Sequence, residues 1–278
     1  MVSQHNHQNK IAVINDLSGF GRCSLAVAMP IISAMKVQCC PVPTSIFSNH
    51  TGFPSFFFDD FTDRLTPYME EWKKLQLTFS GICTGFLGSR EQIQICLQFF
   101  KEFASEDTII IIDPVMGDYG KTYATYTKEM CDEMKKLVEH ATIVTPNLTE
   151  ACILTDTPYH EQKWTQKEIA ELALKLGNMG PQKVVITGIP QGDFISNYSY
   201  EKGNEGHFQR TQKVGTQRSG TGDIFASIIA ADAVNGVEFD VSVKKASKFI
   251  KKCIMKSLEM EIPVTDGVCF EEVLHLLK

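Results

Sequence analysis

The fold is decided by the stretch Thr108-Ile109-Ile110-Ile111-Ile112-Asp113-Pro114-Val115-Met116-Gly117-Asp118. Its first five residues form a continuous β-branched run, which is typical of a strand buried on both faces of a parallel sheet. Asp113 and Asp118 follow that strand, and ligands of such sheets lie beyond the carboxyl ends of the strands. Two acids there suit a hydrated magnesium ion that also contacts phosphate oxygens, although an acid at a strand end is often only a turn former.

Outward from this strand, apolar strands alternate with segments of helical periodicity, which predicts an α/β fold with a mostly parallel sheet. The other predicted strands cover residues 11–14, 38–46, 77–83, 141–144 and 183–186. Helices are predicted over residues 65–74, 91–103, 128–139 and 167–179. Two more are predicted directly after Asp223 and around residues 243–254, where apolar residues again recur at helical spacing. A further helix around residues 25–35 contains Pro30, which should kink or break it. Residues 194–200 and 206–212 read as a hairpin at the sheet edge.

The composition fits one large domain with reduced thiols. With 278 residues, 43% of them hydrophobic, the chain can bury a full core, and we expect a disordered polar tail over 1–10 and a single domain over 11–278. The net charge of -6 gives no reason to expect nucleic acid or an anionic membrane as partner. Nine cysteines without CxxC pairs favour neither disulfides nor zinc. Because no signal-like or membrane-spanning apolar segment is found, we expect a cytoplasmic protein.

A second informative stretch is Gly215-Thr216-Gln217-Arg218-Ser219-Gly220-Thr221-Gly222-Asp223, which opens a helix of buried apolar residues. Such a turn leaves backbone N–H groups unpaired at the positive end of the helix, and its glycines let a ligand approach. Asp223 in the first turn makes chemical sense if it takes a proton from a hydroxyl about to receive a phosphoryl group. The alternative is that Asp223 caps the helix and the glycines only turn the chain.

Polar residues also follow the first two strands. Asp16 and Ser18 lie at the carboxyl end of the first strand, although Asp16 could equally be a turn residue. His50 belongs to a polar cluster followed by several phenylalanines, which suggests a binding loop that also packs on something. Core aromatics with a structural histidine are the alternative there.

The remaining candidates flank the central strand. Asn147 and Glu150 have the spacing of a capping box, and their position at the carboxyl edge would let them serve a cap and a bound ion together. Residues 117–126 are rich in glycine and tyrosine and suggest a mobile loop that acts as a lid. The chain has no Walker A segment and no kinase-type glycine loop, so phosphoryl transfer here would use a different architecture.

In these residues the chain resembles the pyridoxal kinases of the ribokinase-like superfamily, from about residue 11 to near the carboxyl terminus. The motifs that carry the resemblance are Phe47-Ser48-Asn49-His50-Thr51-Gly52, Asp113-Pro114-Val115-Met116-Gly117-Asp118, Thr145-Pro146-Asn147-Leu148-Thr149-Glu150 and Gly220-Thr221-Gly222-Asp223-Ile224-Phe225-Ala226. The first motif is typical of the pyridoxal branch, and the other three occur across related vitamin kinases. The resemblance implies a three-layer α/β/α sandwich and ATP-dependent phosphorylation of the 5′-hydroxymethyl group of pyridoxal, pyridoxine or pyridoxamine.

The resemblance also implies roles for individual residues. Asp223 would deprotonate the substrate hydroxyl while the backbone of Gly220, Thr221 and Gly222 binds the transferring phosphoryl group. The residues matched to Mg²⁺ and a monovalent cation such as K⁺ are Asp113, Asp118 and Glu150. Those matched to ATP are Asn147, Glu150, Thr187, Gly188, Asp118 and Tyr123. The residues expected on the substrate side are Asp16, Ser18, His50, Thr51 and Phe86. A homodimer formed around residues 41–61 is implied as well.

Two departures from the pattern bear on the substrate. Asp16 stands where many pyridoxal kinases carry serine beside the ring nitrogen, and it could pair with a protonated pyridine or with an aminopyrimidine. Phe86 replaces an expected tyrosine, which removes a hydroxyl and leaves stacking. The nearest rival function is therefore hydroxymethylpyrimidine (phosphate) kinase. A non-catalytic vitamer or nucleotide sensor is the alternative of another class, and the intact Gly220–Asp223 motif argues against it.

Overall fold

The computed structural model describes residues 5–277 and contains a nine-stranded sheet between two layers of helices. The strands are β1 (Lys10–Ser18), β2 (Gln38–Phe47), β3 (Phe58–Asp60), β4 (Gly81–Thr84), β5 (Ile109–Ile112), β6 (Gly117–Asp118), β7 (Lys121–Thr122), β8 (Ile143–Val144), β9 (Lys183–Gln191), β10 (Phe194–Glu201) and β11 (His207–Gln212). The α-helices are α1 (Ser24–Ala34), α2 (Thr62–Lys74), α3 (Arg90–Phe103), α4 (Lys128–Val138), α5 (Leu148–Leu154), α6 (Gln166–Met179), α7 (Thr221–Val234) and α8 (Phe239–Glu259). Short 3-10 helices follow at Val264–Asp266 and Glu271–Leu277.

The large sheet is mostly parallel, as the sequence predicts. Its strand order is β11-β10-β9-β8-β5-β4-β1-β2-β3. The six strands from β9 to β2 run parallel to one another, and the antiparallel strands are β3 at one edge and the β10–β11 hairpin at the other. Because β1 pairs with both β2 and β4, the chain first extends the sheet on one side and then on the other. Ligand sites of open α/β sheets lie at such a switch point, beyond the carboxyl ends of the strands.

Alternate residues of the strands face two separate cores. In β5, Ile110 and Ile112 pack on one side with α2, α3, α4, α5 and α6, whereas Ile111 packs on the other side with α1, α7 and α8. Ala12 and Ile14 of β1 share the first core, and Ile11 and Val13 share the second. This period of two buries both faces of the central strands and confirms the three-layer α/β/α arrangement.

Several boundaries differ from the sequence prediction. β1 continues to Ser18 with an irregular register between Asn15 and Leu17, so Asp16 lies within the strand and not in a turn. β9 runs on to Gln191 because its second half pairs with β10. Pro30 lies inside α1 without breaking it, since the helix continues to Ala34. Of the expected tail over 1–10, residues 1–4 lie outside the described residues, whereas Gln8 and Asn9 donate to the backbone oxygens of Lys36 and Val234 and Lys10 pairs with Gln38.

All nine cysteines are free thiols in the structure. Within residues 5–277, none of the helices combines the length and the apolar character that crossing a membrane requires.

Candidate active site

The carboxyl ends of the parallel strands bring the predicted polar residues to one edge of the sheet. Asp113 follows β5 directly, and its Oδ1 accepts a hydrogen bond of 3.0 Å from the hydroxyl of Thr145, which follows β8. The start of α7 lies over the same edge: a Cβ atom added to Gly222 would be 3.9 Å from Asp113 Oδ2. Residues 113 and 223, which are far apart in the sequence, therefore face each other.

The glycine-rich stretch begins α7 as the sequence predicts. Gly220 is the N-cap residue with a φ of 88°, and no side chain caps the helix there. This position requires glycine for two reasons. The positive φ favours glycine, and a Cβ atom at Gly220 would lie 2.2 Å from the backbone oxygen of Arg22. Gly222 has open space apart from Asp113, so a ligand can approach the first turn. An uncapped helix start with free approach is suited to bind an anion.

Asp223 lies half-buried in the first turn of α7. Burial raises the pKa of its carboxyl above the ordinary value, while hydrogen bonds from the backbone N–H of Ser24 and the side chain of Asn15 oppose that rise. Burial, reinforced by the negative charge of Asp223, raises the pKa of Asp113 to about 7. A carboxylate whose pKa is raised toward neutrality is a stronger base than a solvated one, as a proton-accepting group requires.

Asn147 and Glu150 form the predicted capping box at the start of α5. Asn147 Oδ1 accepts from the backbone N–H of Glu150 at 3.0 Å, and Glu150 Oε2 accepts from that of Asn147 at 2.8 Å. Both side chains also reach the loop after β5, because Glu150 Oε1 accepts from Met116 N and Asn147 Nδ2 donates to Gly117 O. Burial, followed by the charge of Asp113, raises the pKa of Glu150 well above its usual value.

The acids predicted to bind magnesium are neighbours without forming a ready-made metal site. Asp118 Oδ2 accepts a hydrogen bond from Gln217, and across residues 5–277 no three His, Cys, Asp or Glu side chains come together as ligands of one ion. The donor set nevertheless suits Mg²⁺, which is usually held by one or two carboxylates, water and substrate phosphates. The pKa values of Asp113, Glu150 and Asp223 are raised by burial and lowered by no lysine or arginine, so a bound cation would favour their ionised forms.

The residues predicted to bind nucleotide lie along the same edge. Thr187 forms an isolated parallel bridge with Asn147, and Gly188 has a φ of 69° with nothing near the place of a Cβ atom. Tyr123 is partly exposed in the loop after β7. Burial, followed by the negative charges of Glu150, Asp118, Asp113 and Asp223, raises the pKa of its hydroxyl. Its role as a lid tyrosine stays a prediction.

On the other side of Asp223, Asp16 forms a buried group with two serines. Asp16 is 5% exposed, and its two oxygens accept hydrogen bonds from the hydroxyls of Ser24, at 2.6 Å, and Ser18, at 2.9 Å. Burial raises the pKa of Asp16 to about 6, with Asp223 adding to the rise and both serines opposing it. The pKa of this buried carboxyl thus lies close to neutral pH. The partly buried Phe86 follows β4 at the same edge of the sheet.

His50 is held by the chain itself. Its Nδ1 accepts from the backbone N–H of Gly52 at 3.0 Å, so its Nε2 carries the hydrogen that is donated to the backbone oxygen of Thr265 at 2.8 Å. The ring also packs on Phe53, with ring centroids 4.8 Å apart. His50 can therefore offer a ring face to a ligand while both nitrogens stay engaged, and Thr51 beside it is exposed. Their predicted contact with a substrate stays a prediction.

Three side chains at this edge were not singled out from the sequence. Asn15 lies between β4 and Asp223, with its Nδ2 3.3 Å from Asp223 Oδ1. Gln217 contacts the loop over 117–126, since it donates to Asp118 and accepts from the Tyr119 hydroxyl. Arg218 is buried and donates to the backbone oxygens of residues 263 and 267, which fixes the C-terminal segment against the glycine-rich turn. Only the position of Asn15 at a strand end could have pointed to it.

A three-layer sandwich with an uncapped, glycine-rich helix start and an aspartate in its first turn defines the ribokinase-like class of proteins. Within that class, the chain belongs to the phosphomethylpyrimidine kinase family, whose model matches residues 32–265.

Curated relatives include both vitamin B6 and thiamine enzymes. A pyridoxal kinase of Arabidopsis thaliana is 30% identical over 199 residues, which are 68% of this chain and 62% of the relative. The thiamine biosynthetic bifunctional enzyme TH1 of the same plant is 26% identical over 258 residues, which are 91% of this chain but 47% of the relative. This chain thus spans between about half and three fifths of the length of these relatives.

Solved structures match nearly the whole chain. A putative phosphomethylpyrimidine kinase from Bacteroides thetaiotaomicron, described as a form with pyridoxal, is 40% identical with a TM-score of 0.93, and the match covers 97% of this chain and 96% of that one. A pyridoxal kinase from Lactobacillus plantarum has a TM-score of 0.89 at 23% identity, covering 97% and 96% of the two chains, and it supports the fold.

Proposed function

We propose that this protein transfers the γ-phosphoryl group of ATP to the 5′-hydroxymethyl group of a B6 vitamer: pyridoxal, pyridoxine or pyridoxamine. The observation that carries the proposal is the half-buried carboxylate of Asp223 beside the uncapped start of α7 and opposite Asp113. The description of the 40% identical Bacteroides protein as a form with pyridoxal supports the choice of substrate. Pyridoxal kinases among the curated relatives support it further.

Asp223 accepts the proton of the substrate hydroxymethyl group as that oxygen attacks the γ-phosphorus. The backbone N–H groups of Gly220, Thr221 and Gly222 bind the oxygens of the transferring group, where negative charge must be stabilised without solvent reorganisation. Gly220 is essential to this geometry, since its left-handed backbone turns the chain into α7. The nucleophile, the base and the anion site then meet at one point.

The acids after β5 and β8 hold the nucleotide end. Asp113, Asp118 and Glu150 would hold Mg²⁺ and a monovalent cation, and Mg²⁺ supplies charge neutralisation to the phosphate oxygens when bound. Asn147, Thr187 and Gly188 bind the ATP phosphates and nucleotide, and Tyr123 covers them. Removal of divalent ions with EDTA should abolish turnover, and added Mg²⁺ should restore it.

The substrate ring lies on the Asp16 side. The Asp16 carboxyl pairs with the ring nitrogen, Ser18 holds that carboxyl, and the rings of Phe86 and His50 contact the faces of the substrate. Thr51 lies at the rim of this pocket. Asp16 also favours the second candidate function, because a carboxyl can accept from the amino group of hydroxymethylpyrimidine as well as bind a protonated pyridine. The family model that matches this chain is named for the pyrimidine substrate.

Turnover of pyridoxal, pyridoxamine and hydroxymethylpyrimidine with ATP, measured side by side, decides between the candidates. We expect the highest kcat/KM for a B6 vitamer, and a clear preference for the pyrimidine would overturn the choice. Asp223→Ala should lower kcat by about 10²–10⁴-fold with an unchanged fold, as the loss of a general base does. Near-wild-type turnover of that variant would refute the mechanism. Binding of pyridoxal without any phosphorylated product would indicate a sensor.

We further propose a homodimer formed around residues 41–61. Phe57 is 63% exposed, and Phe56 and Phe58 beside it are each 46% exposed, which makes an apolar patch that needs cover. Light scattering should give twice the mass of one chain. A single-chain mass would remove this proposal and leave the kinase assignment untouched.

A further inference from the structure

Asn15 is a buried amide that the catalytic assignment above leaves unexplained. It is 5% exposed and lies near the carboxyl end of β1, the strand that pairs with β2 on one side and with β4 on the other. Buried amides are kept when their donors and acceptors are satisfied, so the partners of each atom indicate its purpose.

The orientation of the amide is fixed by its oxygen. Asn15 Oδ1 accepts two backbone hydrogen bonds, from Asp16 N and from Phe86 N, both at 2.9 Å. N–H groups cannot bond an amide nitrogen, so the side chain cannot be flipped and its Nδ2 must point away from them. In addition, a Cβ atom at Gly85 would lie 2.3 Å from Asn15 Nδ2, which shows how closely the loop after β4 packs against the amide.

The only orientation left directs the Nδ2 hydrogens at Asp223. Nδ2 lies 3.3 Å from Asp223 Oδ1, at the long end of hydrogen-bond distances, and catalytic hydrogen bonds are often long in the absence of substrate. We propose that Asn15 is a positioning residue, which orients the carboxylate of Asp223 and keeps one of its oxygens free for the substrate hydroxyl. The inference rests on the proposed role of Asp223 as the base.

The groups around Asp223 explain why such a donor is needed. The ionised forms of Asp16 and Asp113 each interact unfavourably with Asp223. The hydrogen bond from Asn15 favours the ionised form of Asp223, lowering its pKa against the effect of burial. A neutral donor does this without adding a positive side chain that would compete for the phosphoryl group.

The test exchanges the donor and keeps the acceptor. Asn15→Asp still accepts from Asp16 N and Phe86 N, but it places a second carboxylate oxygen beside Asp223, and two such groups cannot both ionise. We expect kcat to fall at least 10-fold with pyridoxal or hydroxymethylpyrimidine, whichever is phosphorylated, while KM stays within about twofold, as the loss of a hydrogen bond to a charged group predicts. Asn15→Ala, which removes the donor together with the acceptor, should show the same split if Asn15→Asp does not fold.

Gln92 provides a matched control. It is 1% exposed, its Oε1 accepts from Gly88 N at 2.7 Å, and its Nε2 donates to the backbone oxygen of Thr44 and the hydroxyl of Thr62. Gln92→Glu therefore makes the same amide-to-carboxylate exchange at a buried loop anchor that does not contact Asp223. We expect lower stability against urea with kcat within about twofold of the wild type.

The outcomes separate this inference from the proposed function. In an Asp223→Asn background, Asn15→Asp should lower the residual kcat no further, because the two residues act as a unit. If Asp223→Asn keeps its turnover, the proposed base is wrong and the inference falls with it. Three results would overturn the inference alone when Asp223→Asn does lose turnover. The kcat of Asn15→Asp could equal that of the wild type, or it could fall no further than the kcat of Gln92→Glu. Alternatively, Asn15→Asp could lower the kcat of the Asp223→Asn variant by the same factor as it lowers that of the wild type.

Discussion

Gly220 joins the anion site to the loop between β1 and α1 through a single close contact. Its φ of 88° lies in the left-handed region, and a Cβ atom there would be 2.2 Å from the backbone oxygen of Arg22, whereas real Cβ atoms keep at least 3.0 Å. Because the neighbour is backbone, it cannot rotate out of the way. Gly220→Ala must therefore separate the start of α7 from the β1–α1 loop.

The cost of this substitution has two parts. A non-glycine residue in the left-handed region costs roughly 1–2 kcal/mol, and displacing a well-packed neighbour costs about 1–3 kcal/mol more. The free energy of unfolding should therefore fall by roughly 2–5 kcal/mol, which for a domain of this size lowers the Tm by about 4–20 °C. Displacement of the phosphoryl site by about 1 Å should lower kcat about 10²-fold.

Gly203→Ala is the matched control, because Gly203 has a φ of 89° in the turn between β10 and β11 and nothing lies within 4 Å of its added Cβ atom. Its free energy of unfolding should fall only by the roughly 1–2 kcal/mol that a left-handed backbone costs a non-glycine residue. Its kcat should equal that of the wild type. Urea unfolding and steady-state turnover, measured below both Tm values, test the pair. Equal losses of stability in the two variants, or a normal kcat for Gly220→Ala, would refute the reasoning.

Two further predictions concern the core and the substrate side. Ile111 is fully buried among α1, α7 and α8, so Ile111→Ala should lower the free energy of unfolding by about 2–5 kcal/mol in urea; a loss under about 1 kcal/mol would contradict its packing. Burial raises the pKa of Asp16 from 3.8 to about 6, so the folded state holds that proton more tightly and the wild type loses stability as the pH rises through this window. The Tm of Asp16→Asn relative to the wild type should increase between about pH 4 and 6 and level off above, and a flat difference would contradict the assignment.

The fold could be predicted from the sequence because its signals are local. A continuous β-branched run such as residues 108–112 suits burial on both faces of a strand. The structure confirms a strand buried between two cores. The capping box of Asn147 and Glu150 and the glycine start of α7 likewise depend on neighbours three or four residues away. The strand ends were less certain, since β1 and β9 are prolonged by pairing with partners that the local pattern does not reveal.

The arrangement of side chains around Asp223 depends instead on contacts between residues that are far apart in the sequence. The sequence by itself determined that an aspartate stands in the first turn of a glycine-started helix and that further acids follow the strands, because periodicity, caps and turns are written in adjacent residues. Only the tertiary structure decided that Asn15 faces Asp223 across 208 residues and that His50 donates to Thr265 across 215. Such contacts depend on the order of the strands in the sheet and on which helix crosses their ends, and packing of the whole chain sets both.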